Sequence, residues 1–465
     1  MYHVRKYQLE ISNMAPAIPL DGHHRFNLDV SGIAGFFGGD ESFAAMSSVH
    51  LVRGRRWMGW YNSPGSYVVA KKYGVLAKSR LWDGLFPGVN VDPTKMLELD
   101  GKVGPRYLGV HSGTSLEKTG HLAHLLAEHC NELPDNQVVG TAAQTDLHLT
   151  IVHLSEYPEE IARADGTLPS VHLSPFDPIA IIPILASIAA AVVCGVFQDW
   201  FSFSMIVVGI VVNGISCAVI GSGVLKVKGP NPSKHSPPGD GIFFSSGSNQ
   251  RVILVKGGER IVSTLVRGQY FLHYASQSKY HDIGICSVAL TFQFLVQLFM
   301  MPQGTLFGQI MFISSFAVSW LYNAYLASVD REDLQKHILV SALLQQPKTW
   351  TIRVPKYTTL AVLATLNLQV GDARSILDAF IPNNTKVWNL VKEIVVEGIQ
   401  TENDPADIVQ VKDTAGFTES ETNLLQDMVA LSSLAFKTYK DTPATAAPTE
   451  SNKSHASTEK GDHVV

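Results

Sequence analysis

The chain of 465 residues has few charged side chains for its length. Asp, Glu, Lys and Arg make up 17 % of it, whereas soluble domains usually carry about 25 %. Hydrophobic residues account for 46 %, and the mean hydropathy is positive at +0.11. This combination indicates membrane-buried sequence. The alternative is a soluble protein with an unusually large buried helical core.

Cysteine is also scarce, and neither sign of charge dominates. Four cysteines in 465 residues are too few for a disulfide framework of the secreted type. The 36 basic and 41 acidic residues give a net charge of -5 at pH 7, which argues against nucleic-acid binding through the overall field. We therefore expect no nucleic-acid partner, and any basic surface must be local.

The common catalytic and metal-binding motifs are missing. The sequence contains no His-Glu-x-x-His, no paired Cys-x-x-Cys and no Gly-x-Ser-x-Gly, the signatures of frequent zinc sites and hydrolases. The glycines at 257–258 have neither the length nor the Lys-Ser/Thr ending of a phosphate-binding loop. An enzyme is therefore less favoured than a non-enzyme, and the sequence identifies no cofactor.

Two pairs of long uncharged segments are present. Residues 178–198 and 200–225 are separated by Asp199, and the helix breakers Pro302 and Gly304 divide residues 283–329. About 20 apolar residues at 1.5 Å rise cross a hydrocarbon core of roughly 30 Å. The sequence therefore predicts a multi-pass α-helical membrane protein with four transmembrane helices in two hairpins, at 178–198, 200–225, 283–301 and 305–329.

Basic residues predict the orientation. Eight Lys and Arg residues lie in segment 226–282, and the two short turns between paired spans carry none. Basic loops stay in the cytosol, and four spans then place both termini on that side. The acceptor sequon at Asn383 should consequently stay unglycosylated. The sequence does not indicate which membrane the protein occupies.

Composition divides the chain into six predicted units. These are a cytosolic α+β domain (1–176), a first hairpin (177–225), a cytosolic loop with a small α/β unit (226–282), a second hairpin (283–329), a cytosolic helical region (330–441) and a disordered tail (442–465).

Local patterns predict several individual elements. Alternation at 146–153 is typical of a half-buried strand, and residues 121–131 have helical spacing. In the loop unit, a strand (251–256), a helix (259–267) and a second strand (270–274) are expected. Beyond the fourth span we expect residues 330–346 to continue it as helix, followed by helices capped near Thr385 and by a Thr418–Glu421 capping box.

The predicted spans contain amides but no ionisable residue. Ion-coupled carriers and proton relays usually need ionisable groups within the membrane, so coupled transport is disfavoured. Polar side chains inside spans mostly join helices. A pore lined by these amides after homo-oligomerisation is the alternative. The polar residues concerned are Asn213, Gln293, Gln297, Gln309 and Asn323.

One stretch contains candidate metal ligands. His121, His124 and Glu128 lie at positions i, i+3 and i+7 of the predicted helix, within about 60° of each other at 100° per residue. Side chains so placed can approach one ion. The alternative is a solvated helix face, which the absence of a visible fourth ligand favours.

A basic and aromatic cluster is a candidate contact for anionic lipid headgroups. In the string RGRRWMGW, Arg53, Arg55 and Arg56 precede Trp57 and Trp60. Guanidinium groups pair with phosphates while indoles enter the membrane interface. The alternative is structural, with tryptophans in the core and arginines in solvent.

Three strings in the second half of the chain carry a resemblance to a family. They are GGERIVSTLVRGQYFLHY, MPQGTLFGQIMF followed by WLYNAYLASVDRED, and FIPNNTKVWNLVKEIV. Over roughly residues 175–400 the chain resembles a family of multi-pass membrane proteins from mushroom-forming fungi to which no activity is assigned. The resemblance implies the membrane layout and a fungal origin, and it transfers no catalytic residue.

The predicted function is that of a membrane-tethered protein whose cytosolic domains bind or scaffold a cytosolic protein partner. The first alternative is a channel or uncoupled carrier with a polar route between the third and fourth spans. The second is a membrane-tethered enzyme with an active site in the N-terminal region. Expected partners are the lipid bilayer, with anionic lipids among them, and a second copy of the chain.

Overall fold

The structure is a computed structural model that describes residues 37–77, 79–88, 91–140, 146–170, 176–233, 235–245, 250–274, 277–412 and 416–442. The α-helices are α1 Gly39–Ser47, α2 Ser66–Gly74, α3 Arg80–Leu85, α4 Pro93–Met96, α5 His121–Asn131, α6 Glu159–Arg163, α7 Phe176–Val196, α8 Trp200–Ile220, α9 Glu259–Arg267, α10 Gln277–Met300, α11 Leu306–Ala327, α12 Arg331–Ile338, α13 Tyr357–Leu368, α14 Ala373–Phe380, α15 Lys386–Thr401, α16 Pro405–Val409 and α17 Glu419–Asp441. The strands are β1 Arg106–Gly109, β2 Ser115–Leu116, β3 Gln137–Val138, β4 Leu147–His153, β5 Val224–Lys228, β6 Gly241–Phe244, β7 Gln250–Lys256, β8 Gln269–His273 and β9 Lys348–Arg353.

Four helices, α7, α8, α10 and α11, are long and apolar enough to cross a membrane, and they are called the bundle below. The candidate spans are Pro178–Val196, Trp200–Ile220, Tyr280–Gln303 and Leu306–Ala327. Helix α7 packs against α8 and α11, and α8 packs against α10. The mixed α/β region lies at the end of the bundle where α7 and α10 begin.

The second pair of spans differs from the predicted hairpin. A short 3₁₀ turn, Met301–Gln303, joins α10 to α11. Within the described chain, however, α10 and α11 do not pack along each other, because α2 lies against α10 and α1 lies against α11. Part of the N-terminal region is therefore inserted between two spans.

The two turns at the far end of the bundle are joined by one carboxylate. Asp199 caps α8 by accepting a hydrogen bond from the backbone N–H of Ser202. It also accepts hydrogen bonds from the backbone N–H and the hydroxyl of Thr305, at 2.9 and 2.7 Å. Since Thr305 in turn caps α11, a single side chain orders both helix N-termini.

One seven-stranded sheet unites the three α/β segments. Its order is β2-β1-β6-β7-β4-β9-β3, with β4–β7 and β3–β9 parallel and the other pairs antiparallel. Strands β1 to β4 precede the bundle, β6 and β7 lie between its second and third helices, and β9 follows its last helix. Segments 1–176, 226–282 and 330–441 thus share one sheet, and the last of them is not purely helical.

The sheet is covered on both faces. In β7, Ile253 and Val255 pack into the apolar cluster that includes residues of α5 and α9. Their neighbours Val252 and Leu254 face the opposite cluster, which α13, α14 and α17 build. A strand with two buried faces gives a continuous apolar run. The predicted half-buried strand at 146–153, now β4, is likewise buried over its centre.

Several predicted elements are confirmed, and one is wrong. Helices α5 and α9 have the predicted bounds, Thr385 caps α15, and Thr418 with Glu421 forms the capping box of α17. The fourth span does not continue into the next helix. Helix α11 ends at Ala327, and Asp330 caps a new helix, α12. The predicted tail, except its first residue, lies outside the described residues.

Candidate functional site

An irregular segment of the N-terminal region lies inside the bundle. Residues 58–65, called the inserted loop, connect a 3₁₀ turn to α2 without helical or strand structure. The backbone N–H of Asn62 donates to Ser187 Oγ at 3.0 Å, and its side-chain amide donates to Ser315 Oγ at 2.9 Å. Both serines lie near the middle of their candidate spans. The loop therefore reaches the mid-depth of the bundle.

Glycines allow this close approach. Gly65 has a left-handed φ of +74°, and a Cβ there would lie 2.2 Å from the Cα of Gly39. On α8, a Cβ on Gly209 would lie 1.9 Å from Asn62 Oδ1. Residues with side chains cannot occupy either position without displacing the loop.

Two of the predicted intramembrane amides hold the inserted loop. Asn213 Nδ2 donates to the backbone carbonyls of Gly59 and Tyr61, at 2.7 and 3.2 Å. Asn323 accepts a hydrogen bond of 2.7 Å from the Tyr61 hydroxyl and donates to Ser63 Oγ at 3.1 Å. Irregular backbone at membrane depth needs such partners, because lipid offers none.

The other three predicted amides do not contact the loop through hydrogen bonds. Gln309 Nε2 donates to the carbonyls of Met301 and Gly304, both at 3.2 Å, and so closes the turn before its own helix. Gln293 and Gln297, one turn apart on α10, have no hydrogen-bond partner among the described residues. Their exposed fractions are 1 % and 0 %.

The predicted basic cluster is divided between the bundle interior and the surface. Arg55 is only 4 % exposed. Its guanidinium donates to the Tyr61 hydroxyl at 3.3 Å and lies 5.4 Å from the ring centroid of Tyr322. Arg55 therefore cannot reach a lipid headgroup, because its charge is directed into the protein.

Arg53, Arg56 and Trp57 line a cavity of about 380 Å³, called the arginine cavity. It lies where α8 ends, because residues 221–225 form its other wall. No Asp or Glu occurs among the described residues that line it. Burial lowers the pKa of His50, another lining residue, to about 4, so that ring is neutral near pH 7 and the arginines supply the positive charge.

The two tryptophans of the cluster lie on the outer surface. Trp57 is 55 % exposed and holds the Arg56 guanidinium 4.8 Å from its ring centroid. Trp60 is 37 % exposed and packs on Gly214, where a Cβ would lie 2.4 Å from the indole. Trp57 is thus placed beside the end of a candidate span, where interfacial tryptophans are typical, whereas Trp60 packs further inside that span.

His121, His124 and Glu128 are not assembled as a ligand set. His121 Nε2 lies 2.7 Å from Gln335 Oε1, and His124 Nε2 lies 2.6 Å from a carboxylate oxygen of Glu332. Both histidines therefore use a ring nitrogen to bind α12. Over the described part of the chain, no group of three His, Cys, Asp or Glu residues is positioned to hold a metal ion.

His121 instead lines a groove of about 840 Å³ between residues 95–102 and the start of α12. Charges of both signs surround it, including Lys95, Arg331 and Asp100. Burial lowers the pKa of His121 and raises the pKa of Asp100. The groove therefore presents mixed charges beside a neutral imidazole, a surface suited to a polar partner.

No protein-family model, curated protein or solved structure matches the chain. The resemblance to the fungal membrane-protein family consequently stays a prediction.

The sequence predicted two of the residues that hold the inserted loop, Asn213 and Asn323, and missed Tyr61 and Asn62. The missed residues belong to the string GWYNSPG, whose glycines and proline are typical of a surface turn. The aromatic pair at 60–61 was the available signal: Tyr61 is buried, whereas Trp60 lies at the surface.

Proposed function

We propose that the protein is a membrane-anchored binding protein that takes an anionic lipid headgroup in the arginine cavity. One observation carries this proposal. The cavity opens where α8 leaves the bundle, and its charged lining residues Arg53 and Arg56 stand next to the exposed Trp57. A phosphate of the lipid layer lies at the same depth as the end of a span.

The charge balance supports a headgroup phosphate as the ligand. Guanidinium groups bind phosphate oxygens through paired hydrogen bonds. Arg53 and Arg56 are positive, His50 is neutral near pH 7, and no Asp or Glu occurs among the described residues that line the cavity, so the described lining favours an anion. An anionic lipid would also hold the α/β region against the membrane surface.

The α/β region is the proposed binding surface for a cytosolic protein. Basic residues in segment 226–282 support the cytosolic orientation. The mixed-charge groove beside His121 and Arg331 supports a polar partner, because both positive and negative side chains line it. The number of copies that assemble stays a prediction.

Lipid binding is tested with the full chain in nanodiscs. Native mass spectrometry would count phosphatidylserine molecules retained at increasing fractions of this lipid in phosphatidylcholine. Each basic residue near an anionic surface contributes about 1 kcal/mol. The double variant Arg53→Gln, Arg56→Gln should therefore weaken phosphatidylserine retention about 30-fold.

A matched variant separates this site from general electrostatics. Arg163→Gln with Lys440→Gln removes two exposed positive charges elsewhere and should leave retention within about twofold of the unmodified protein. Equal losses in the two double variants, or no loss in the first, would contradict the proposal. Competition by inorganic phosphate would show that the cavity takes a free phosphate rather than a lipid.

A further inference from the structure

Two glutamines inside the bundle are buried with all their amide atoms unpaired. Gln293 and Gln297 make no hydrogen bond within the described chain through either amide atom, and Asn62 Oδ1 is unpaired as well. A buried polar group without a partner is destabilising, because it has lost its hydrogen bonds to water. Such groups in native proteins usually bind ordered water.

The spacing of these atoms fits one bridging molecule. A Cβ built on Gly209 lies 1.9 Å from Asn62 Oδ1 and 3.5 Å from Gln293 Nε2. The acceptor and the donor are therefore at most about 5.4 Å apart, the sum of those two distances, yet they do not bond each other. One water molecule that makes two hydrogen bonds of about 2.8 Å bridges atoms up to about 5.6 Å apart, so this acceptor and donor lie within its reach.

The depth of these residues places them away from both ends of the bundle. Gln293 and Gly209 each lie near the middle of a candidate span, and Gln297 extends the polar line by one turn of α10. Amides offer donors and acceptors but no charge. They suit an uncharged guest, because an ion would lose its hydration without a compensating charge.

We propose that Asn62, Gln293 and Gln297 form a site for water and for uncharged solutes of similar size, on a route through the bundle that the inserted loop closes. Irregular backbone at this depth occurs where it is buried in protein or lines a water-filled cavity. The loop is held across the route by hydrogen bonds to Ser187 and Ser315. Loosening these bonds should open the route.

The test measures osmotic water permeability of proteoliposomes by stopped-flow light scattering. The double variant Ser187→Ala, Ser315→Ala removes two contacts of the loop without changing any of the three amide side chains. Each hydrogen bond within a membrane bundle is weak, so losing two of them should raise the open fraction of the loop by a modest factor. We therefore expect permeability about tenfold above that of the unmodified protein. Ser187→Ala alone is the milder variant and should give about threefold.

Two further variants make the outcome specific. Adding Gln293→Leu and Gln297→Leu to the double variant should return permeability to the unmodified level, because the site can no longer bind water. Ser314→Ala is the matched control and should change nothing, since among the described residues that hydroxyl bonds only the Ile310 carbonyl of its own helix. The proposal is overturned if loosening the loop has no effect, or if the increase persists in the leucine variants.

Discussion

Asn213 holds the inserted loop from α8, and replacing it tests the structure of the bundle directly. Its amide donates to two loop carbonyls, those of Gly59 and Tyr61, at 2.7 and 3.2 Å. The substitution Asn213→Leu keeps the same branching of the side-chain heavy atoms and removes both donors. The two carbonyls are then left in an apolar interior without these partners.

The expected cost follows from these two bonds. An orphaned buried carbonyl costs about 1–3 kcal/mol, while side-chain hydrogen bonds in membrane bundles contribute about 0.6–2 kcal/mol. We therefore expect Asn213→Leu to favour release of the loop by about 2–4 kcal/mol. This corresponds to a 30- to 1000-fold larger population of the released state, approximately.

Cysteine labelling reports this population. The loop covers Cys217, because a Cβ on Gly59 would lie 2.4 Å from the Cβ of Cys217. When opening is fast relative to labelling, the maleimide reaction rate follows the released fraction. Labelling of Cys217, measured by peptide mass spectrometry, should accelerate by about the same 30- to 1000-fold, while Cys194 in another apolar cluster should not change.

Two results would refute this reasoning. An unchanged Cys217 rate in Asn213→Leu would show that the two hydrogen bonds do not hold the loop. An equal acceleration at Cys194 would show global unfolding rather than local release. The matched variant Ser204→Val changes an exposed position on the same helix and should leave both rates unchanged.

Three other predictions concern pH, backbone conformation and topology. Burial lowers the pKa of His50 to about 4. The neutral ring therefore contributes fully to the free energy of unfolding above the unfolded pKa of about 6.5, and this contribution is lost as pH falls towards 4. Thermal unfolding should show a loss of about 3 kcal/mol over that range, which His50→Gln should reduce. Gly65→Ala should lower the midpoint of thermal unfolding, because φ is +74° there, whereas Gly84→Ala, which meets nothing within 4 Å, should not. In eukaryotic cells the Asn383 sequon should show no glycosidase-sensitive mass, since a shift would place it outside the cytosol.

Helices could be predicted from the sequence because their signals are local. Thr418 and Glu421 form the capping box from four consecutive residues. Helical periodicity after Gly120 predicts α5, and periodicity between Gly258 and Gly268 predicts α9. The four candidate spans depend on length and hydropathy alone. None of these features requires knowledge of distant residues.

The sheet could not be predicted in the same way. Strand β4 pairs with β7 and β9, which lie about 100 and 200 residues away along the chain. Alternating or apolar runs indicate strands but do not indicate their neighbours. Short strand β9 contains strand-forming residues, but the other described elements of segment 330–441 are helices, so this isolated strand was missed.

The inserted loop could not be predicted from the sequence, because its residues and the residues that contact it are typical of two other features. Its glycines and proline are typical of surface turns, and small residues in a span usually let another helix approach. Here Gly209 receives Asn62 and Gly214 receives Trp60. Only the folded chain shows that a loop, and not a helix, fills these positions.

The bundle and the α/β region depend on each other through the N-terminal segment. Strand β4 acquires β9 only after all four bundle helices have been synthesised, since β9 follows α11. The inserted loop likewise meets its partners Ser187, Asn213 and Ser315 only when those helices are in place. The same segment then continues into β1 and β4 of the sheet. The bundle is therefore a structural partner of the α/β region, because neither can complete its packing without residues that the other positions.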